Sequence, residues 1–493
     1  MYTFSSKLKT FSFILMLIGA LGIGYGFLTA PKDIQEVEKI LAAEEHGGHH
    51  SEAASHEATT AEGHATHEEA KADGHVAAAP EAPMHSEKDT IHADSLTAPV
   101  VLTPVVENHE VKHEKVEAHD AHAEHENHLK HVLTQLQNKP WAALYVACIF
   151  FLLISMGVLA FYGIQQVAQA GWSPVLFRVM QGITAYLPVG SLIFFIVLVL
   201  CGLNFNHLFI WLDKDIVAND AIIRSKVGYL NFPFWIIRAG IFLLGWNLYR
   251  YFSRKNCLAQ DESNDDSFYK KNFNISAGFL VFFIVSESIM SWDWIMSIDP
   301  HWFSTLFGWY VFASFFVSGI TTICMVTLYL KSKGYLEHVN TSHIHDLAKF
   351  MFGISVFWTY LWFSQFMLIW YANIPEEVTY FVTRIELYNL PFFGAVVMNF
   401  LFPILILINT DFKRITWILV MAGTVILLGH YIDFFNMIMP GTVGDRWFIG
   451  VPELGSLFFF LGLFIYVVFS ALTKAPLLPK RNPYIEESKH FHY

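Results

Sequence analysis

Long apolar segments alternate with short polar ones along most of this chain. A helix needs about 20 apolar residues to cross the hydrocarbon core of a bilayer. Ten segments meet that length, at residues 11–29, 141–168, 183–203, 231–252, 273–297, 306–330, 346–371, 388–409, 413–432 and 453–473. The pattern therefore predicts an all-α integral membrane protein with about ten transmembrane helices.

Basic residues are unevenly distributed among the connections between these segments. If the N-terminus is cytoplasmic, the inner connections carry Arg178, Arg250, Arg254, Lys255, Lys270, Lys271, Lys331, Lys333, Lys413, Arg414, Lys474, Lys480 and Arg481. The short outer loops then carry only Lys214, Arg224, Lys226, Arg384 and Arg446. The positive-inside rule therefore predicts cytoplasmic termini and an extracytoplasmic segment 30–140. We expect the membrane to be a bacterial inner membrane, so that this segment is periplasmic.

Four regions follow from this division. Residues 1–30 resemble a signal peptide, but Leu28-Thr29-Ala30 lacks the small-x-small cleavage pattern, so we expect a retained membrane anchor. Residues 31–140 form a hydrophilic segment, 141–475 a polytopic membrane domain and 476–493 a cytoplasmic tail.

The hydrophilic segment is rich in histidine, glutamate and alanine. It holds 16 of the 24 histidines of the chain and few large apolar residues, so we expect it to be largely disordered. One interpretation is weak metal binding by imidazoles, for which the candidates are His46, His49, His50, His119, His122 and His125. The last three are also expected on a short helix before the second span. The other interpretation is a solvated, charged tether.

The densest polar chemistry lies at the outer end of the fifth span, in Ser286–Ser304. Glu287 and Asp293 fall on a membrane helix, where an ionisable group costs about 2.5–3.5 kcal/mol and usually faces a partner, a cavity or a pathway. Asp299 and His301 follow at the membrane surface. A proton-handling site and a carboxylate neutralised by a neighbouring helix are both open interpretations.

Other ionisable residues are predicted at similar depth on neighbouring spans. Arg238 lies in the outer half of the fourth span, and His430 and Asp433 share one face of the ninth. We expect Arg238 to contact Glu287, directly or through water, and Asp293, His430 and Asp433 to continue the polar route outwards. The inner half is expected to hold almost nothing comparable.

Composition removes several classes of function. Charged residues make up 15% of the chain and no basic patch indicates nucleic acid. The four cysteines have no CxxC or CxxCH spacing, which argues against covalent haem or an iron–sulfur cluster in this chain. Tryptophans at residues 292, 294, 302 and 309 indicate either an interfacial aromatic belt or the wall of a quinone pocket.

The run SWDWIMSIDPHWFSTLFG, residues 291–308, closely resembles the F-type membrane subunit of alternative complex III, a quinol:cytochrome c oxidoreductase. The resemblance covers residues 141–475 and excludes the histidine-rich segment. It implies a fold similar to polysulfide-reductase-type membrane subunits, with two four-helix bundles and flanking helices.

The resemblance also implies a place in a respiratory electron-transport complex. The implied partners are a sister quinol-binding membrane subunit, an iron–sulfur protein, c-type cytochrome subunits and, as an optional partner, a terminal oxidase. Haem c and iron–sulfur clusters would then belong to the partners. Quinone or quinol is the candidate ligand of this chain, which is not expected to be the main catalytic one.

Two other functions compete with a role in quinol oxidation. Ten spans and intramembrane charges suit a secondary transporter, which should show broken helices in two matching halves. The quinone-binding anchor of a molybdenum-type reductase has a similar fold. The Trp-Asp-Trp and Asp-Pro-His-Trp motifs favour the first hypothesis.

Overall fold

The computed structural model describes residues 2–43 and 110–492, and all regular structure in those ranges is helical. Ten helices within these ranges are long and apolar enough to span a membrane, which confirms the predicted fold class. We label them α1 Ser6–Thr29, α2 Glu110–Val167, α3 Pro174–Gly202, α4 Phe232–Gln260, α5 Ser267–Trp294, α6 Phe307–Ser332, α7 Thr341–Ala372, α8 Asn389–Leu407, α9 Thr416–Ile438 and α10 Val451–Leu472.

Polar side chains fix where several of these helices begin. Asn231 accepts a hydrogen bond from the Phe234 amide at 3.0 Å and so caps α4. Asn340 caps α7, where the His343 side chain completes the reciprocal bond to the Asn340 amide. These caps satisfy amides at helix starts that have no partner within the helix.

Helix α8 is interrupted near its middle. Residues Val397–Leu401 form a π-helical turn, and Pro403 follows at once. Proline has no backbone N–H, so the carbonyl of Asn399 loses its usual helical donor. The wider turn places Asn399 at the buried side of α8, where it is fully inaccessible.

Helices α2 to α5 form one four-helix group. The Tyr145 hydroxyl of α2 donates to the Trp294 carbonyl of α5 at 2.8 Å. Asn247 of α4 donates to the Ser191 hydroxyl of α3 at 2.9 Å. Aromatic contacts between Phe194 and the rings of Tyr145 and Trp294 fill the space between the helices.

Helices α6 to α9 form a second four-helix group. Tyr310 of α6 packs against Trp358 of α7, and Trp358 packs edge-on against His430 of α9. Asn436 of α9 donates to the Pro391 carbonyl of α8 at 2.9 Å. The two groups meet where Gly157 of α2 and α6 approach so closely that a β-carbon on Gly157 would lie 2.5 Å from the Phe315 carbonyl oxygen.

Helices α1 and α10 pack together beside these groups. A β-carbon on Gly22 would lie 2.8 Å from the Gly455 Cα, and one on Gly19 would lie 2.3 Å from the Phe459 amide nitrogen. Small residues allow this close approach, as is usual for helices that associate in membranes. Helix α10 also contacts α2 and α3 through Phe464, which packs against Phe151 and Tyr186.

The helix ends define two faces of the membrane unit. The basic face carries the start of α1, the α4–α5 and α6–α7 connections and residues 473–492. The opposite face carries residues 203–231 and 295–306 and the short helix Pro375–Glu386. The C-terminal residues pack on the basic face, where Ser488 donates to the Trp172 carbonyl at 2.7 Å and its carbonyl lies 3.0 Å from His343 Nε2.

Of the described residues, 33–43 and 110–130 belong to a unit separate from the membrane unit, which consists of residues 2–32 and 131–492. The expectation of disorder in the hydrophilic segment falls largely on residues 44–109, which lie outside the described residues. In the separate unit, residues 34–43 are helical and Glu110–Lys130 lies on α2. His119, His122 and His125 are thus helical, on a long helix rather than the short one expected.

Candidate functional site

Arg238 and Asp293 form a buried ion pair between α4 and α5. Nε and Nη2 of Arg238 donate to the two carboxylate oxygens of Asp293 at 2.6 and 3.0 Å. The Asp293 side chain is fully inaccessible and that of Arg238 is 9% exposed. Two parallel bonds of this kind fix both side chains in one geometry.

The surroundings of the pair satisfy its remaining polar atoms. The Tyr229 carbonyl accepts from Nη1 and Nη2 of Arg238 at 3.3 and 3.4 Å, and the rings of Tyr229 and Phe234 cover the guanidinium at 4.0 and 4.2 Å. Such rings stabilise a cation. Trp235 Nε1 donates to the Asp293 carbonyl at 2.9 Å.

Glu287 is not the partner of Arg238, so the predicted direct contact is wrong. Among the described residues, the one hydrogen bond to the Glu287 side chain comes from Ser288, at 3.2 Å to Oε2. Oε1 is buried without a partner in the described part of the chain. Glu287 is therefore a buried carboxyl that no described cation neutralises.

A second polar cluster surrounds Asp433 in the group α6 to α9. Tyr310 donates its hydroxyl to Oδ1, while Ser314 Oγ and Trp358 Nε1 donate to Oδ2 at 2.8 and 2.9 Å. Ser314 Oγ also lies 2.9 Å from His430 Nδ1. Three helices thus converge on one buried carboxyl, as the shared face of His430 and Asp433 on α9 allows.

The Ser314 hydroxyl determines how His430 is oriented. It has one hydrogen, which goes to Asp433, so it accepts a hydrogen bond from His430 Nδ1–H. The other nitrogen, Nε2, is buried and has no partner among the described residues. Neutral His430 therefore presents an unshared proton-accepting nitrogen inside the bundle.

Asn399 lies against Gly429 of α9. A β-carbon on Gly429, the residue before His430, would lie 2.2 Å from Asn399 Oδ1, so only glycine lets the amide approach α9 there. Both the oxygen and the nitrogen of the Asn399 amide are buried without a partner in the described ranges. Unpaired buried polar groups are costly, which makes this place a candidate site rather than simple packing.

Asp299 and His301 lie apart from both clusters, at the surface of the opposite face. His301 Nε2 lies 2.5 Å from Asp220 Oδ2, and Nδ1 lies 3.8 Å from Asp299 Oδ1. The hydrogen bond with His301 holds the pKa of Asp220 below its usual range. These side chains join two loops, and their partial exposure places the contact at the membrane surface.

The basic half of the first group holds a polar cluster that the sequence analysis missed. The Tyr162 hydroxyl accepts from Gln166 and Gln181 at 3.0 and 3.1 Å and from Ser253 and Asn272, each at 3.3 Å. Arg178, which donates to Gln181 Oε1 at 2.9 Å, forms an ion pair with Asp261 on the same face. The expectation that this half is nearly free of polar chemistry is therefore wrong.

The tryptophans between residues 291 and 309 fit neither the aromatic-belt interpretation nor the quinone-pocket interpretation completely. Trp294 and Trp302 are buried, and the Trp302 ring is stacked on Tyr380 with centroids 3.9 Å apart and planes at 13°. That face of Trp302 is covered by protein rather than open to a quinone ring. Trp309 is 49% exposed, as expected of a belt residue.

No metal site is assembled in the part of the chain that the structure describes, where no group of three or more His, Cys, Asp or Glu residues is placed to hold an ion. His46, His49 and His50 lie outside the described residues, as do the side chains of His119 and His122. His125 is exposed. The four cysteines are unpaired and buried in helices.

These features define an all-α, multi-pass membrane protein with two polar clusters buried near one face. The chain matches none of the protein-family models and none of the curated proteins with which it was compared.

Proposed function

We propose that this chain is a membrane subunit of a respiratory quinol:electron-acceptor oxidoreductase complex, and that it takes up and passes on protons near the periplasmic face. The proposal combines the resemblance of residues 291–308 with the buried clusters near the opposite face. Quinol oxidation releases two electrons and two protons, so the protons need acceptors close to the place of oxidation.

The observation that carries the proposal is the unshared Nε2 of His430. Histidine changes protonation in the physiological range, which suits it to proton transfer. When Nε2 takes a proton, the imidazolium that forms donates through Ser314 to a carboxyl 3.8 Å away, Asp433. Tyr310 and Trp358 hold that carboxyl in place. The cluster therefore contains an acceptor, a relay and a compensating charge.

The two other buried carboxyls have different roles in this proposal. Asp293 remains an anion because Arg238 binds both of its oxygens. It therefore anchors α5 to α4 and supplies a fixed negative charge. Glu287 has no cationic partner among the described residues, so its neutral form is the cheaper one in a membrane helix. Glu287 is therefore the better proton carrier on α5.

A proton that crossed the membrane through helices α2 to α5 alone would meet an apolar interval at the centre of the group. On α5 the buried stripe passes from Asn272 and Ser276 to Phe279 and Phe283 before reaching Ser286. The apolar interval between Ser276 and Ser286 spans about 15 Å of helix. Exchange of protons with the opposite face is thus favoured over passage across the whole membrane.

In this proposal the redox cofactors belong to partner subunits. A sister membrane subunit would hold the main quinol site, and an iron–sulfur protein and c-type cytochromes would carry electrons to a periplasmic acceptor. A secondary transporter should have broken helices at corresponding positions of two matching halves. Here the 3-10 turn Thr184–Tyr186 lies in α3, the second helix of its group, and the π-helical turn lies in α8, the third helix of its group. The helix breaks therefore do not support the transporter alternative.

Purification of the affinity-tagged chain in mild detergent tests the proposed assembly. We expect c-type haem absorbance and iron to elute with the chain in a stable ratio. A monodisperse chain without haem that transports a solute in liposomes would contradict the proposal and support a transporter. Molybdenum eluting with the chain would instead identify a reductase anchor.

A further inference from the structure

A groove lies between α4 and α5 in the half of the membrane unit next to the basic face. It has a volume of about 390 Å³, and its walls are apolar along most of its length, including Leu248, Phe252, Ile275 and Phe282. Leu248 and Phe252 are 45% and 48% exposed, so the groove opens to the side of the bundle. In a membrane the molecules that reach this side are lipids.

Two local contacts create the groove. Gly245 leaves space for the Phe282 ring, which a β-carbon there would approach to 2.5 Å. Deeper in, Tyr249 and Phe279 are stacked with centroids 3.9 Å apart, which closes the contact between the helices. From Gly245 to Asn256 the groove follows α4 for about 16 Å, close to half of the ~30 Å hydrocarbon core. Its length therefore suits one acyl chain of one leaflet.

The end of the groove at the basic face is polar. Asn256 lines it and is 6% exposed, and its Nδ2 is buried without a hydrogen-bond acceptor among the described residues. Lys271 lines the same end from α5 and is exposed. A buried donor without a partner is costly unless a ligand supplies the acceptor. An amide donor beside an ammonium group suits a phosphate.

We propose that this groove binds an anionic phospholipid of the leaflet at the basic face. One acyl chain occupies the apolar groove, and the headgroup phosphate pairs with Lys271 Nζ and accepts from Asn256 Nδ2, whose side chain turns towards the groove when the lipid binds. Arg254 and Lys255 near the same end of α4 add positive charge for an anionic headgroup. Basic pockets between helices at the cytoplasmic side of membrane proteins bind such lipids.

The distribution of donors favours a lipid over a quinone in this groove. A quinone ring has carbonyl oxygens at two opposite ends and no charge. The groove offers donors at its basic end only, since its far end is formed by Gly245 and Phe282. A phospholipid has the same asymmetry, with a charged phosphate at one end and an apolar acyl chain at the other.

Lipid retention by the purified full-length chain tests this site. Phosphatidylglycerol and phosphatidylcholine are added separately in detergent, and bound lipid is measured by native mass spectrometry together with the melting temperature. We expect phosphatidylglycerol to bind and to raise the melting temperature, with phosphatidylcholine at least tenfold weaker. Lys271→Glu and Asn256→Leu should each lose most of this binding.

The adjacent Lys270→Glu is the matched control, because Lys270 has the same charge but does not line the groove. Leu248→Trp fills the groove from its exposed rim without disturbing buried packing, and should abolish retention in a folded chain. Equal binding by Lys270→Glu and Lys271→Glu, unchanged retention in Leu248→Trp, or equal binding of the two lipids would overturn the proposal. Recovery of quinone from the groove in place of lipid would also overturn it.

Discussion

Arg238 binds both carboxylate oxygens of Asp293 across the interface of α4 and α5, at 2.6 and 3.0 Å. The pair joins the start of one helix to the end of the next, and both side chains are shielded from solvent. Each charge stabilises the other, because either one alone would be buried in the membrane interior without a partner.

Removing one member of this pair should destabilise the protein more than removing both. We expect Arg238→Gln or Asp293→Asn to lower the free energy of unfolding by about 3–5 kcal/mol each, since a buried charge loses its partner. The double variant should recover part of that loss. Unfolding in detergent, analysed as a double-mutant cycle, measures the coupling. Additive effects of the two substitutions would show that the pair is not coupled.

The Tyr162 cluster should contribute to stability through its hydroxyl alone. Tyr162→Phe leaves Gln166, Gln181, Ser253 and Asn272 without this acceptor, so we expect a loss of about 1–3 kcal/mol. Tyr186→Phe is the matched control, because the Tyr186 hydroxyl is buried and has no partner in the described ranges. It should leave stability unchanged or slightly raised. Equal melting temperatures for the two variants would contradict this account.

The close contact of α1 with α10 predicts a large difference between two glycines of one helix. Gly22→Val should force the helices apart and cost about 1–3 kcal/mol, because its β-carbon would lie 2.8 Å from Gly455. Gly24→Val should have little effect, since a β-carbon there has no neighbour within 4 Å. Thermal unfolding of the two variants measures the difference. Similar destabilisation by both would show that helix propensity, not packing, sets the effect.

The contact between Asp220 and His301 should open in acid. Because the hydrogen bond with His301 lowers the pKa of Asp220, this contact stabilises the fold above the unfolded pKa of about 3.9 and is lost as the pH falls through the lower folded value. A spin label on Ala218→Cys should therefore stay immobile from pH 7 to about pH 4 and become mobile below.

Two variants separate this contact from other acid effects. Asp220→Asn should mobilise the label already at pH 7 while keeping the cap of the helix Ala221–Ser225, because asparagine also caps well. Asp215→Asn, in the same loop, should behave as the native chain. A mobile label in both variants at pH 7, or in neither, would argue against the contact.

The number and positions of the spanning helices could be predicted because an apolar run of bilayer length has few alternatives. The partner of Arg238 could not. Glu287 and Asp293 both lie within reach of the depth expected for Arg238, but they are six residues apart, which is about 9 Å along α5 and about 120° around it. Depth follows from helix rise, whereas the choice between the two carboxyls depends on how α4 is rotated against α5.

The Tyr162 cluster was missed because its members are neutral and sit in apolar segments. Charge patterning does not reveal a tyrosine, a glutamine or an asparagine in such a segment. A signal was present, since Gln165, Gln166, Gln181 and Asn272 are amides within spans or at their ends. Buried amides need hydrogen-bond partners, so four of them near one end of the bundle predict a shared polar centre.

Proton release by the assembled complex tests the central claim most directly. We expect Asp433→Asn to lower the rate of quinol oxidation and the rate of proton release at the opposite face at least tenfold, with the complex still assembled, because protonated His430 loses its compensating charge. Glu287→Gln should slow turnover in the same direction. Glu453→Gln is the control and should retain native turnover, because Glu453 caps the start of α10 and lies in neither four-helix group. Native turnover and native proton release in intact Asp433→Asn and Glu287→Gln complexes would contradict the proposed proton route.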